Sequence, residues 1–145
     1  MLAVRENAKM TVSARTDYPD GARENMNCTV RGEAETTDNV LRFIYDEPEA
    51  AEMGTVRTTV ALAEDHVILT RVGAVRSEFR FALGAPHDSL YETGLASFPA
   101  RVTTRALRIK RERRGALAEI RYALDVGGVT GEHRLKLLIR MEEES

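Results

Sequence analysis

Three histidines, one cysteine, a cationic run and an acidic run are the residues of this chain with the clearest capacity for chemistry. His66 follows Asp65, His87 precedes Asp88 and His133 follows Glu132, so each imidazole has a carboxylate beside it. A metal site needs clustered donors or a spacing such as His-x-x-x-His on a helix, and no pair of these histidines provides one. They read as solvated residues of turns and strand ends near the rims of the fold, and no metal is expected. Cys28 has no basic neighbour nearer than Arg31 to activate it, so it is not expected to act as a nucleophile. The G-x-S-x-G elbow of serine hydrolases is absent. Gly127 to Gly131 follows a strand pattern and opens no helix, so it is a turn and not a phosphate loop.

The basic run Arg108-Ile109-Lys110-Arg111-Glu112-Arg113-Arg114 sets five cations against one anion around an expected hairpin tip. Such a patch can hold phosphates or an acidic partner by releasing counterions. Equally, it can keep an exposed hairpin from pairing with other chains. No aromatic residue interleaves with the cations, which argues against base stacking and so against nucleic acid as a partner. The acidic segment Asp46-Glu47-Pro48-Glu49-Ala50-Ala51-Glu52 lacks the ordered spacing of a calcium loop. It is expected to be a loop at the mouth of the fold, placed to act as a lid.

The elements that must position these residues are strands, because the dominant signal is alternation with period two. Ala118, Ile120, Tyr122, Leu124 and Val126 alternate with Glu119, Arg121 and Asp125. After Gly127 and Gly128 the pattern resumes with Leu135, Leu137, Ile139 and Met141 against Arg134, Lys136 and Arg140, which predicts a hairpin. Upstream, Val75, Ser77, Phe79, Phe81 and Leu83 share one face, as do Val56, Thr58, Val60 and Leu62. Leu41, Phe43 and Tyr45 form one face of a shorter run, Val67 and Leu69 belong to another, and Met10–Arg15 and Met26–Thr37 are strands of lower contrast. Arg101–Lys110 changes face near Ala106 and Leu107, which predicts a bulge. Turn residues such as Pro19-Asp20-Gly21, Asp38-Asn39 and Gly84-Ala85-Pro86 separate these runs at roughly ten-residue spacing. No long helix is predicted, only a turn around Glu49 to Met53. The expected fold is all-β: an antiparallel meander barrel of about eight to ten strands, which leaves no sheet edge open.

The totals agree. A chain of 145 residues suits one domain over residues 1–145, with its core over about 8–142. It is 43% hydrophobic and 30% charged, the composition of an ordinary globular protein. A net charge of −2 gives no global field for nucleic acid or anionic membrane, although 18 arginines and three lysines carry the positive charge. One cysteine excludes an intrachain disulfide and fits a reducing compartment. No apolar run has the length of a signal peptide or a membrane helix, so a cytoplasmic protein is expected.

Several short signatures carry a resemblance. They are Phe43-Ile44-Tyr45-Asp46-Glu47, Thr58-Thr59, Arg71-Val72-Gly73, Phe79-Arg80-Phe81, Gly84 and Tyr91-Glu92-Thr93-Gly94, followed by the two terminal alternating strands. In that order the chain resembles the YwiB-like family of bacterial proteins of unknown function, over about residues 8 to 142. The resemblance implies a lipocalin-like (calycin) β-barrel and no assigned reaction. The chain departs from the family pattern in its heavy use of arginine and in an apolar Phe79.

Two functions follow as expectations. Tyr45, Thr58, Ser77 and Tyr122 are hydroxyl-bearing residues at inward positions, and Arg71 stands among them with its face undetermined. A small barrel either fills its interior with side chains or holds one small ligand, and polar groups on an apolar wall serve either end. The first expectation is a non-enzymatic barrel holding a small amphipathic molecule through Tyr45, Thr58, Arg71 and Tyr91, without a cofactor. The alternative is an interaction protein that binds a polyanion or acidic partner through Arg108, Lys110, Arg111, Arg113 and Arg114. A homodimer is compatible with either.

Overall fold

The computed structural model describes residues 5–47 and 55–142, and all the regular structure among them is strand. Ten strands follow in order: β1 (Glu6–Asp17), β2 (Arg23–Thr37), β3 (Val40–Glu47), β4 (Val56–Leu62), β5 (Val67–Gly73), β6 (Arg76–Phe81), β7 (His87–Glu92), β8 (Ser97–Glu112), β9 (Gly115–Val126) and β10 (Val129–Met141). Each pairs antiparallel with its sequence neighbour, and β1 pairs with β10 to close the barrel. No described helix is long and apolar enough to cross a membrane.

Turn chemistry explains the meander. Asp38 and Asn39 join β2 to β3 with φ of 53° and 64°, and Gly127 and Gly128 join β9 to β10 with φ of 59° and 88°. Two successive residues with positive φ make the tight hairpin turn whose twist matches that of paired strands. The predicted bulge is present as a register shift between Thr104 and Ala106 on β8.

Residues directly opposite one another in antiparallel strands face the same side, so the register identifies the inner wall. Phe43, Phe81, Met10, Leu41, Leu62, Ile120 and Ile139 are fully buried there. They fill the end of the barrel that carries the β2–β3, β4–β5, β6–β7 and β8–β9 turns. Toward the other end, inward Leu69, Phe79, Tyr122 and Leu124 are only half-buried, and polar side chains join them.

Two expectations change. Leu83 continues the inward alternation in sequence, but β6 stops at Phe81 and Leu83 is 61% exposed beside the Gly84 turn. β7 is a strand that the alternation did not reveal, because its six residues include Asp88 and Ser89 and little apolar contrast. The turn expected at Glu49–Met53 lies outside the described residues.

Candidate functional site

The four residues expected to contact a ligand fall into one row. Tyr45 on β3 lies opposite Thr58 on β4, and Thr58 lies opposite Arg71 on β5. Arg71 lies opposite Ser77 on β6, and Ser77 opposite Tyr91 on β7. Five adjacent strands thus contribute one residue each to a polar band across the inner wall, toward the less filled end. The face of Arg71, open in the sequence, is inward.

Glu47 completes the band from the same face of β3. Arg71 donates from Nε to Glu47 Oε1 at 2.9 Å and from Nη2 to Oε2 at 2.6 Å, and the Thr58 hydroxyl donates to Oε1 at 2.6 Å. Burial alone would raise the Glu47 carboxyl, but the hydrogen bonds from Arg71 and Thr58 and the Arg71 charge hold it below the ordinary 4.5. Burial would likewise lower Arg71, and the Glu47 carboxylate more than offsets it. The Tyr45 phenol is raised, first by burial and then by the Glu47 charge, and burial pushes Tyr122 up to about 12. Both tyrosines therefore stay protonated and can donate. Sequence reasoning assigned Glu47 to an acidic loop; its position two residues after Tyr45, on the same strand face, was the available signal. Asp46 points outward and pairs with Arg57 at 3.2 Å. The rest of the expected lid, from Pro48 on, lies outside the described residues.

Beside this band the barrel wall parts. β6 and β7 are laddered only at Arg76–Glu92 and Ser77–Tyr91, and beyond Ser77 they diverge. There the Ala82 amide donates to Thr104 Oγ1 of β8 at 3.1 Å. A hollow of about 400 Å³ opens at this seam, with Arg71, Ser77 and Ser89 in its wall and a mixed rim of exposed Val72 and Leu90 beside the charged Arg76, Glu78 and Glu92. The hydroxyls of Ser77 and Ser89 are buried and have no hydrogen-bond partner. Buried polar atoms are rarely left so. The site offers unoccupied hydrogen-bonding groups beside a neutralised ion pair, with apolar and charged side chains together at the rim, a combination suited to holding an amphipathic molecule.

The other candidates lie elsewhere. His66 occupies a turn and meets Asp65 at 2.7 Å, and His87 is the exposed first residue of β7. His133 departs from the expected solvated position: it is half-buried on the inner wall, 2.9 Å from the Thr16 hydroxyl and stacked on Tyr122 with ring centroids 4.9 Å apart. Burial lowers its pKa. Among the described residues no three of His, Cys, Asp and Glu cluster to hold a metal, and Cys28 is exposed. The basic run does not form one patch. Arg111 donates to the Asn39 carbonyl of the β2–β3 turn at 3.0 Å, and Arg114 donates to Glu6 at 3.1 Å and the Glu142 carbonyl at 2.9 Å, so both tie the β8–β9 hairpin to other segments at the same end of the barrel. Arg113 is exposed at the turn, while Arg108 and Lys110 alternate with inward Leu107 and Ile109 and face outward along β8.

A closed ten-stranded antiparallel barrel with a polar band on its inner wall is the class of protein so defined. The chain belongs to the DUF1934 family, a domain of unknown function, which matches residues 10–137. Its fold is similar to that in the crystal structure of the ywiB protein from Bacillus subtilis, with a TM-score of 0.84 over 96% of this chain and 94% of that one, at 21% sequence identity. No curated protein matches the chain in sequence.

Proposed function

We propose that this protein is a non-enzymatic, calycin-like carrier or sensor of a small amphipathic molecule, which it holds at the seam between β6 and β7. The observation that carries this reading is the pair of buried, unpartnered hydroxyls of Ser77 and Ser89 in the wall of a hollow of about 400 Å³. Ligand sites are typically apolar hollows of this order with a few polar groups that fix orientation. Arg71 and Glu47 neutralise one another, which favours an uncharged or zwitterionic head group that hydrogen-bonds to Ser77, Ser89 and Tyr91. Its apolar part would lie along Val72 and Leu90. The arrangement supplies no activated nucleophile, and its carboxylate is committed to Arg71, so the reading is binding without turnover. A reducing cytoplasmic setting is supported by the one cysteine, which is free and exposed.

Native mass spectrometry of gently purified protein is the direct test. The expected result is an added mass on the order of a few hundred daltons, as for a ligand that fits such a hollow. The compound, added back at about a hundredfold its Kd, should stabilise the fold by about 2.7 kcal/mol. In Ser77→Ala/Ser89→Ala the retained mass should fall away while the fold persists. A bare chain mass, together with no thermal stabilisation by the cell's extractable metabolites, would overturn the reading and leave ordered water as the partner of the two hydroxyls.

A further inference from the structure

The outer face of the long-stranded side of the barrel carries a second feature, independent of the reading above. Register aligns outward side chains into rows across β1, β10, β9 and β8. One row runs Arg15, Arg134, Arg121, three guanidinium groups on adjacent strands with each directly opposite the next. The adjoining row runs Ser13, Lys136, Glu119, Arg108. Farther along, Lys9 lies opposite Arg140 on one side and Arg31 on the other. A groove of about 530 Å³ follows the first two rows, with Arg15, Arg108, Arg121, Arg134 and Lys136 facing a single carboxylate, Glu119.

This charge is segregated. Several arginines elsewhere sit against cross-strand carboxylates, as in Arg23–Asp17 at 2.9 Å, Arg57–Asp46 at 3.2 Å and Arg101–Asp88 at 2.6 Å. Arg42 and Arg80, without an ion pair among the described residues, each face a non-cationic neighbour, Ala61 and Ile68. Arg121, Arg134, Lys136, Lys9 and Arg140 form no ion pair among the described residues, while the nearest acid to Arg15 is Asp17 at 3.4 Å and to Arg108 is Glu119 at 3.9 Å. Like charges directly opposite in a sheet destabilise it, so a protein of net charge −2 carries this row at a cost to its own stability. An anionic partner would turn that cost into affinity.

We infer that this groove grips a single-stranded nucleic acid by its phosphodiester backbone. Guanidinium forks suit phosphate oxygens because they donate two parallel hydrogen bonds. The two rows place Arg15, Arg134, Arg121, Lys136 and Arg108 across four adjacent strands, about 14 Å at roughly 4.8 Å per strand, which calls for an extended occupant with several charges and not a mononucleotide. Lys9 and Arg140 lie beyond an uncharged row of Thr11, Leu138 and Leu117, and Arg31 pairs with Glu142 at 3.5 Å. Asn25, Asn27 and Ser13 on the β1–β2 wall offer uncharged hydrogen-bonding groups to sugars or base edges. No aromatic residue lines the groove, so binding is independent of base sequence. A net charge of −2 gives no global field for nucleic acid and the 108–114 hairpin offers no base stacking, but a grip on phosphates needs only a local row of cations.

Anisotropy of a fluorescein-labelled oligouridylate twelve nucleotides long tests the inference. With three or four phosphate contacts, affinity should weaken about 20- to 50-fold between 50 and 200 mM salt. Arg121→Gln/Arg134→Gln should lose at least tenfold in affinity and flatten the salt dependence. Arg42→Gln/Arg80→Gln, which removes outward cations from the opposite side, should bind like the parent. Far-ultraviolet circular dichroism would establish that each variant is folded. No binding at about 50 mM salt, or equal binding by Arg121→Gln/Arg134→Gln, would overturn the inference, as would tighter binding of an oligoglutamate of equal charge, which would point to an acidic protein segment.

Discussion

The Glu47–Arg71 pair lies where water still reaches it, with 19% and 24% of its side chains exposed. Breaking a fully buried pair costs about 3–5 kcal/mol. Here partial hydration of the survivor should hold Arg71→Met to about 1–3 kcal/mol, the range for a stranded polar group, measured by urea unfolding. Arg71→Met/Glu47→Leu should recover part of that loss, because no lone charge remains. The pH dependence follows from the lowered Glu47 pKa. A carboxyl that is more acidic when folded contributes stability that is fully present above its unfolded value near 4.5 and lost as pH falls through its folded value. Glu47→Gln should therefore remove one component of the acid limb and leave the neutral-pH slope unchanged. His133 acts in a different window. Its pKa is lowered by burial, so its contribution is present above about 6.5 and is lost as pH falls through its lower folded value. Its proton titration by nuclear magnetic resonance should have a midpoint below that of a free imidazole.

At the scale of elements, the seam is the informative region. Thr104 sits at the β8 bulge and accepts the Ala82 amide across the gap left by β7. Thr104→Val keeps the shape and removes the acceptor, so it should cost about 1–3 kcal/mol, whereas Thr104→Ser should remain near the parent in thermal unfolding. The bulge was legible in sequence because it reverses the apolar face at Ala106 and Leu107. The seam was not, since a ladder of two residue pairs leaves no trace in either strand's own pattern. Gly115 marks another constraint of this kind: a Cβ there would drive into the Ile139 carbonyl oxygen. In the sequence it reads only as a turn residue.

For the whole molecule, alternation and the lack of helical spacing made a closed meander readable before any coordinates. Alternation also placed Tyr45 and Thr58 inward, and the register then set them in one band with Arg71, whose face the pattern leaves open, and Tyr91, whose strand it does not show. What sequence withheld was the sum across strands. Arg15, Arg121 and Arg134 each alternate correctly within their own strand, and nothing local says that the three meet. Relief of like-charge opposition is worth roughly 0.2–1 kcal/mol per pair. Arg121→Gln/Arg134→Gln should therefore raise the melting temperature of the free protein, more at low salt than at high. A fall in melting temperature would mean that the row is held by contacts other than its charges.

The closing ladder sets a schedule for the chain. Ala8 pairs with Met141 and Asp17 with Glu132, so the first strand meets its second neighbour only when the last one exists. At the usual speed of synthesis, about 5–20 residues per second, β1 waits on the order of ten seconds with one edge unpaired. Loop closure over that separation also comes late in folding from denaturant, which places refolding in the slow, millisecond-to-second range of β-rich topologies. Until β10 arrives, the nascent chain is an open sheet, and that interval is when it would be most prone to associate with another copy of itself.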